Sequence, residues 1–148
     1  MEYPELYGYY FEDLKIGMSA TVSRTITETD LRNFSGVSGD TNPMHLNEEF
    51  AKKTPFGGCI VHGMLSASLI SAVIGTKLPG PGCIYMNQTL KFLAPVRVGD
   101  TVYAVATVKE LNNEKHRVLM DTKCYVKDTV VIEGEALIKV ASKKPKAS

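Results

Sequence analysis

The sequence predicts an α+β domain in which one buried helix packs against a mostly antiparallel sheet. Three observations lead there. Helix signals fall in the first half of the chain, and strand-like segments run from Cys83 to the end. The stretch from Gly63 to about Thr76 contains no charged residue, which is the mark of a helix with nowhere polar to face. Helices followed by a run of strands imply an α+β arrangement rather than alternating βαβ units.

The elements follow in chain order. Residues 18–27 are rich in β-branched side chains and read as a first strand. Thr27-Glu28-Thr29-Asp30 fits a capping box that opens a short helix through about Val37. The segment Asp40 to His45 reads as a tight loop, because Pro43 disfavours the α region at Asn42. Asn47 is placed to N-cap a second short helix, Glu48–Lys53, and Thr54 to Gly58 is a loop. The uncharged helix from Gly63 spans ~20 Å at ~1.5 Å per residue, enough to cross a small domain. Leu78-Pro79-Gly80-Pro81-Gly82 ends it.

Cys83–Phe92 then alternates apolar and polar residues at several positions. Thr101–Leu111 follows a turn at Val98-Gly99-Asp100, with Val102, Ala104, Ala106 and Val108 on one face. Arg117–Val126 and Val130–Val140 are joined by Lys127-Asp128-Thr129, a hairpin candidate.

With 148 residues the chain is long enough to bury a sizeable core, and it reads as one domain. Its core covers about residues 10–141, followed by a short basic tail at 142–148. Hydrophobic residues make up 44% and charged ones 22%, ordinary for a globular protein. A net charge of +1 supplies no field to recruit nucleic acid or an anionic membrane. The basic cluster Lys143-Lys144-Pro145-Lys146 reads as a solvated chain end. Three well-separated cysteines, Cys59, Cys83 and Cys124, argue against a disulfide framework and for a reducing cytosol. The acidic, tyrosine-rich start, Met1 to Glu12, does not read as a signal peptide, which would be basic and then apolar. The near-apolar run from Met64 to Ile74 is too short to span a bilayer. A cytoplasmic protein without metal or cofactor is expected, since no metal-ligand spacing or glycine-rich phosphate loop is present.

The chemistry concentrates in Gly39-Asp40-Thr41-Asn42-Pro43-Met44-His45. Asp40 and His45 cannot share a helical face at a spacing of five, but a loop can turn both toward one point. A carboxylate and an imidazole around one water form a general acid/base pair. The competing reading is a turn aspartate and a surface histidine, since Asp and Asn before Pro are routine turn formers. Gly63 opens the uncharged helix, so its N–H is an orphan donor at the positive end of the dipole. A glycine there lets a ligand approach the backbone closely, and an added Cβ is expected to crowd it.

Phe34, Val37, Ser38-Gly39-Asp40, Asn42-Pro43, His45 and Ala51 together resemble the signature of the R-specific enoyl-CoA hydratases, within the MaoC-like dehydratase family. Met44 departs from the usual Leu, Ile or Val while keeping volume and apolarity. The resemblance continues through Ile60-Val61-His62-Gly63-Met64-Leu65 and Leu93-Ala94-Pro95-Val96-Arg97-Val98-Gly99-Asp100, covering roughly residues 10–140. It implies the hot-dog fold and the reversible syn hydration of a trans-2-enoyl-CoA to an R-3-hydroxyacyl-CoA. It further implies that Asp40 and His45 activate the water and that Gly63 belongs to the oxyanion hole. By the same resemblance Ser71 supports Asp40 or the water. Of the remaining polar residues, Asn42 and His62 are weaker substrate-binding candidates, Asn42 reading more readily as a loop-shaping residue and His62 as a structural one bonded to neighbouring backbone. Ser66 and Ser68 are expected to pack the helix, and His116 to face solvent. Lys91 and Arg97 are candidates for holding coenzyme A.

Two alternatives stay open at this level. A hot-dog thioesterase or hydroxyacyl-thioester dehydratase takes its acid from the central helix, yet residues 63–76 hold no Asp or Glu. A non-catalytic acyl-CoA-binding module would need no Asp/His pair. A homodimer or higher homo-oligomer is expected, because hot-dog proteins pair across a twofold axis.

Overall fold

The computed structural model describes residues 3–144. Two 3-10 turns, Pro4–Leu6 and Phe11–Asp13, precede the first strand, β1 (Ser19–Thr25). Helix α1 (Glu28–Ser38) starts at the expected capping box. Asp30 N–H donates to Thr27 Oγ1 at 3.1 Å, and Thr27 N–H donates to Asp30 Oδ2 at 2.9 Å. Gly39 ends the helix in the left-handed region, φ 77°, where glycine carries no Cβ penalty.

The segment read as a loop is only partly one. Pro43–Leu46 forms a helical turn, α2, with Asn42 as N-cap and Pro43 at its first position. Pro at the start of a helix loses nothing, because its missing N–H would have had no acceptor there. The restriction that Pro43 imposes falls on Asn42, which is extended at φ −50°, ψ 124°. Asn47 caps α3 (Glu48–Ala51) by accepting from Phe50 N–H at 3.1 Å.

Helix α4 runs from Gly63 to Thr76, as its uncharged stretch predicts. The strands that follow are β2 (Ile84–Gln88), β3 (Lys91–Phe92), β4 (Thr101–Asn112), β5 (Arg117–Val126) and β6 (Thr129–Lys139). The expected strand Cys83–Phe92 is therefore split by Thr89 and Leu90. Thr129 already pairs with Val126, so the β5–β6 hairpin turns on Lys127-Asp128 alone, with Lys127 at φ 53°. The sheet has six strands in the order β1-β4-β5-β6-β2, with β3 also pairing β6, and every pairing is antiparallel.

Helix α4 packs on β4, β1 and β5. Ala67, Ile70, Val73 and Ile74 meet Val102, Ala104, Ala106 and Val108, all buried, which is the face that the strand alternation predicts. The expectation of a helix buried all round is corrected within this chain. The sheet covers one side only, and Met64, Ser68, Ser71 and Gly75 form an exposed stripe at spacings of four, three and four.

The basic tail is also tied more closely than expected where it is described. Lys143 Nζ pairs with Asp13 Oδ1 at 2.6 Å, and Ser142 Oγ donates to Glu12 Oε1. Pro145 and Lys146 lie outside the described residues. His116, expected in solvent, is half-buried, with its ring 5.2 Å from that of Phe11.

Candidate active site

A chain of local hydrogen bonds delivers Asp40 and His45 from the end of α1. Ser38 Oγ accepts from Asp40 N–H at 3.1 Å, Asp40 Oδ1 accepts from Asn42 N–H at 3.2 Å, and Asn42 Oδ1 accepts from Met44 N–H at 3.0 Å. Short polar side chains bonding backbone two residues on are what shapes such a turn. Asn42 thus holds the loop shape, and it does not border the cavity described below.

His45 rides on α2 and its Nδ1 lies 2.8 Å from the Ile60 carbonyl. A carbonyl only accepts, so Nδ1 carries the proton and Nε2 keeps its lone pair. That is the tautomer a general base requires, fixed by backbone rather than by a carboxylate.

His62 N-caps α4 and is fully buried. Its Nε2 lies 3.0 Å from Ser35 Oγ and 3.2 Å from the Asp40 carbonyl, and its ring stacks on His45 with centroids 4.0 Å apart. Burial pushes its pKa below the ordinary histidine value, and the neighbouring His45 adds to that effect. Polar atoms of Asp40, His45 and His62 all fall within 4.8 Å of one another.

Gly63 begins α4, so its N–H has no intrahelical acceptor. Asp40, His62, Gly63 and Ser66 border one cavity of about 430 Å³, otherwise walled by apolar side chains including Phe56, Phe92 and Ile132. A mostly apolar recess with a few convergent polar groups suits an acyl ligand with one reactive end. His45 borders a second recess of about 710 Å³ together with Glu28, Arg32, Glu48 and Arg97.

Not every candidate arrives at this place. Ser71 is exposed on α4 and outside the cavity wall, so within one chain it does not meet Asp40. Ser66, one turn after His62, is on the wall instead, with its Oγ buried and lacking a hydrogen-bond partner among the described residues. Arg97 donates to the carbonyls of Cys59, at 3.4 Å, and Phe56, which braces the loop before α4. Lys91 is exposed on β3. Sequence reasoning missed Ser35 and Phe92. Ser35 stands four residues after Leu31, so a shared buried face on α1 was the available signal.

With this geometry in hand, the comparisons fall into one group. A family profile described as MaoC like domain matches residues 14–133. The (R)-specific enoyl-CoA hydratase of Rhodospirillum rubrum is 54% identical over 143 residues, 97% of this chain and 99% of that protein. The 3-hydroxybutyryl-CoA dehydratase of Methylorubrum extorquens is 50% identical over 140 residues, covering 95% of this chain and 89% of that one. Among solved structures, the unliganded R-hydratase of Pseudomonas aeruginosa superposes with a TM-score of 0.86 at 39% identity, over 97% of each chain. The chain belongs to the MaoC-like domain family, and its six-stranded sheet with α4 against it is that family's hot-dog fold.

Proposed function

We propose that this protein is an R-specific enoyl-CoA hydratase, a hydro-lyase that adds water reversibly across the double bond of a trans-2-enoyl-CoA. The observation that carries this reading is that Asp40 and the N-terminus of α4 at Gly63 border one apolar cavity, while a ring nitrogen of His45, which opens on the neighbouring recess, lies within 4.8 Å of the Asp40 carboxylate. Relatives named as hydratase and as dehydratase support the same reaction written in its two directions.

In this reading the acyl chain occupies the apolar cavity, with the thioester oxygen at the Gly63 N–H. A water held between Asp40 and His45 gives hydroxide to C3 and a proton to C2 from the same face. Its O–H bond breaks, the C3–O and C2–H bonds form, and the π pair passes through an enolate. The pair acts as a unit, so the proton in flight belongs to the dyad rather than to one residue. The enolate oxygen collects charge where a preorganised N–H and the helix dipole stabilise it. No metal or cofactor takes part in this scheme, and coenzyme A enters only as part of the substrate.

The exposed stripe Met64, Ser68, Ser71 and Gly75 on α4, together with the exposed apolar side chains of edge strand β2, supports a homodimer with α4 facing its copy. Ser71 then reaches a site only across that contact. Sedimentation equilibrium of the purified chain tests the pairing, and a monomer at micromolar concentration would remove it. A cytoplasmic location accords with three free cysteines and with the absence, among described residues, of a helix able to cross a membrane.

The activity is tested with crotonyl-CoA through dodecenoyl-CoA, following loss of the enoyl absorbance and the chirality of the product. The R alcohol is expected, and an S product would sink the assignment. A thioesterase would instead release free coenzyme A, but α4, without Asp or Glu, lacks the acid for it.

A further inference from the structure

The geometry points to His62 as a positioning residue for this hydration, holding the Asp40 loop and the His45 ring in register with the Gly63 donor. This inference rests on the hydratase reading above.

The hydrogen-bond inventory of the ring settles what it can do. The Asp40 carbonyl 3.2 Å from Nε2 can only accept, so the proton sits on Nε2. Ser35 Oγ, 3.0 Å from the same nitrogen, shares that proton through a lone pair. Nδ1 then carries the ring's free lone pair, and it is buried with no partner among the described residues. A lone pair closed off from solvent cannot exchange protons with the substrate water, so His62 is not a second base.

Its contacts instead reach each part of the site. Through Nε2 it ties Asp40 to Ser35 on α1. Through its face it stacks on His45 with an interplanar angle of 28°. Through its backbone carbonyl it accepts from Leu65 N–H at 3.0 Å and Ser66 N–H at 3.3 Å, which anchors the turn that presents Gly63. A neutral ring suits this place, because a cation stacked on His45 would oppose the proton that His45 must carry during turnover. The Phe34 ring, 4.9 Å away and tilted, helps hold it there.

Three variants separate positioning from packing. His62→Phe keeps an aromatic ring and loses the donor. His62→Gln loses the ring and keeps an N–H for the Asp40 carbonyl. Ser35→Ala removes the hydroxyl that orients the imidazole. Packing alone ranks Phe above Gln in thermal midpoint and in kcat alike. Positioning reverses the activity order: His62→Phe is expected to lose about 10- to 100-fold in kcat with KM within about threefold, the scale of a reacting geometry displaced by ~1 Å. His62→Gln is expected to recover at least about fivefold of that loss despite a lower midpoint, and Ser35→Ala to lose about threefold in kcat at constant KM. A kcat order that follows the midpoints overturns the inference. If His62→Phe does not fold, a Ser35→Ala kcat indistinguishable from wild type overturns it equally. Wild type is assayed beside them on crotonyl-CoA. An inactive wild type overturns the hydratase reading and this inference together, whereas an active wild type with indifferent variants overturns only the role of His62.

Discussion

Phe92 lies directly against Gly63, so that a Cβ built on the glycine would meet the ring Cε1 at 2.6 Å. The crowding expected of a side chain at this position is therefore first with the protein's own β3 and only then with a ligand. Phe92 is half exposed, so its ring has room to yield. Gly63→Ala is expected to fold and to lose about tenfold or more in kcat/KM, as disturbance of one oxyanion donor does. Adding Phe92→Leu should return part of that loss by relieving the ring contact. Steady-state kinetics of the single variant near wild type would reduce Gly63 to an ordinary helix start.

The Asp40 and His45 pair invites substitutions that keep size but remove function. Asp40→Asn and His45→Gln should each lower kcat by about 10²–10⁴, the usual worth of a positioned acid or base. The double variant should lose little more than the worse single one, since in the proposed scheme both groups act on one water. The thermal midpoint of Asp40→Asn should stay near wild type, because Asp40 is exposed and belongs to no core cluster. Unfolding of either variant, or full activity in both, would make the pair structural.

Metal dependence is the next test, because potential ligand atoms of Asp40, His45 and His62 lie within 4.8 Å of one another, although His62 would have to give up its bond to the Asp40 carbonyl to bind a cation through Nε2. Hydration of crotonyl-CoA is expected to be unchanged after EDTA treatment and desalting. Loss of activity restored by zinc would replace the water-on-dyad scheme with a metal-bound one.

Acid stability should report on Asp30. The Arg24 guanidinium bonded to its carboxylate at 2.6 Å holds its pKa down to about 2, from 3.8, against an opposing effect of burial. A carboxyl depressed in the folded state stabilises fully above its unfolded value and loses that contribution as pH falls from about 4 through the folded value near 2. The shift corresponds to roughly 2 kcal/mol at neutral pH. Asp30→Asn should therefore lower the urea midpoint clearly at pH 7 and only about a third as much near pH 2.5. An equal difference at both values would mean that Asp30 contributes by packing and not by charge.

Several features of this fold and site were legible locally, because their physics is local. Thr27 and Asp30 mark a helix start whatever surrounds them, since a cap answers to orphan N–H groups two and three residues away. The absence of charge from Gly63 to Thr76 and the alternation from Val102 to Val108 are likewise properties of short windows. Asp40, Pro43 and His45 announce a shaped acid–imidazole segment for the same reason.

The helical turn under His45 was misjudged from one local rule, since Pro43 restrains the residue before it and not the turn it begins. The other differences depended on distant partners. Helix α4 has nearly uniform apolarity, so nothing within it says which side meets the sheet. Its packing on β4, β1 and β5 placed Ser66 at the cavity and left Ser71 outside. Arg97 is spent on carbonyls about forty residues away, and Lys143 on Asp13 at the other end of the chain. The sequence by itself thus determined most of the elements and the short segment in which a carboxylate and an imidazole come close together. Only the tertiary structure decided that His62 lies beneath His45 and that Phe92 covers Gly63, because such contacts are chosen by which faces the folded chain brings together.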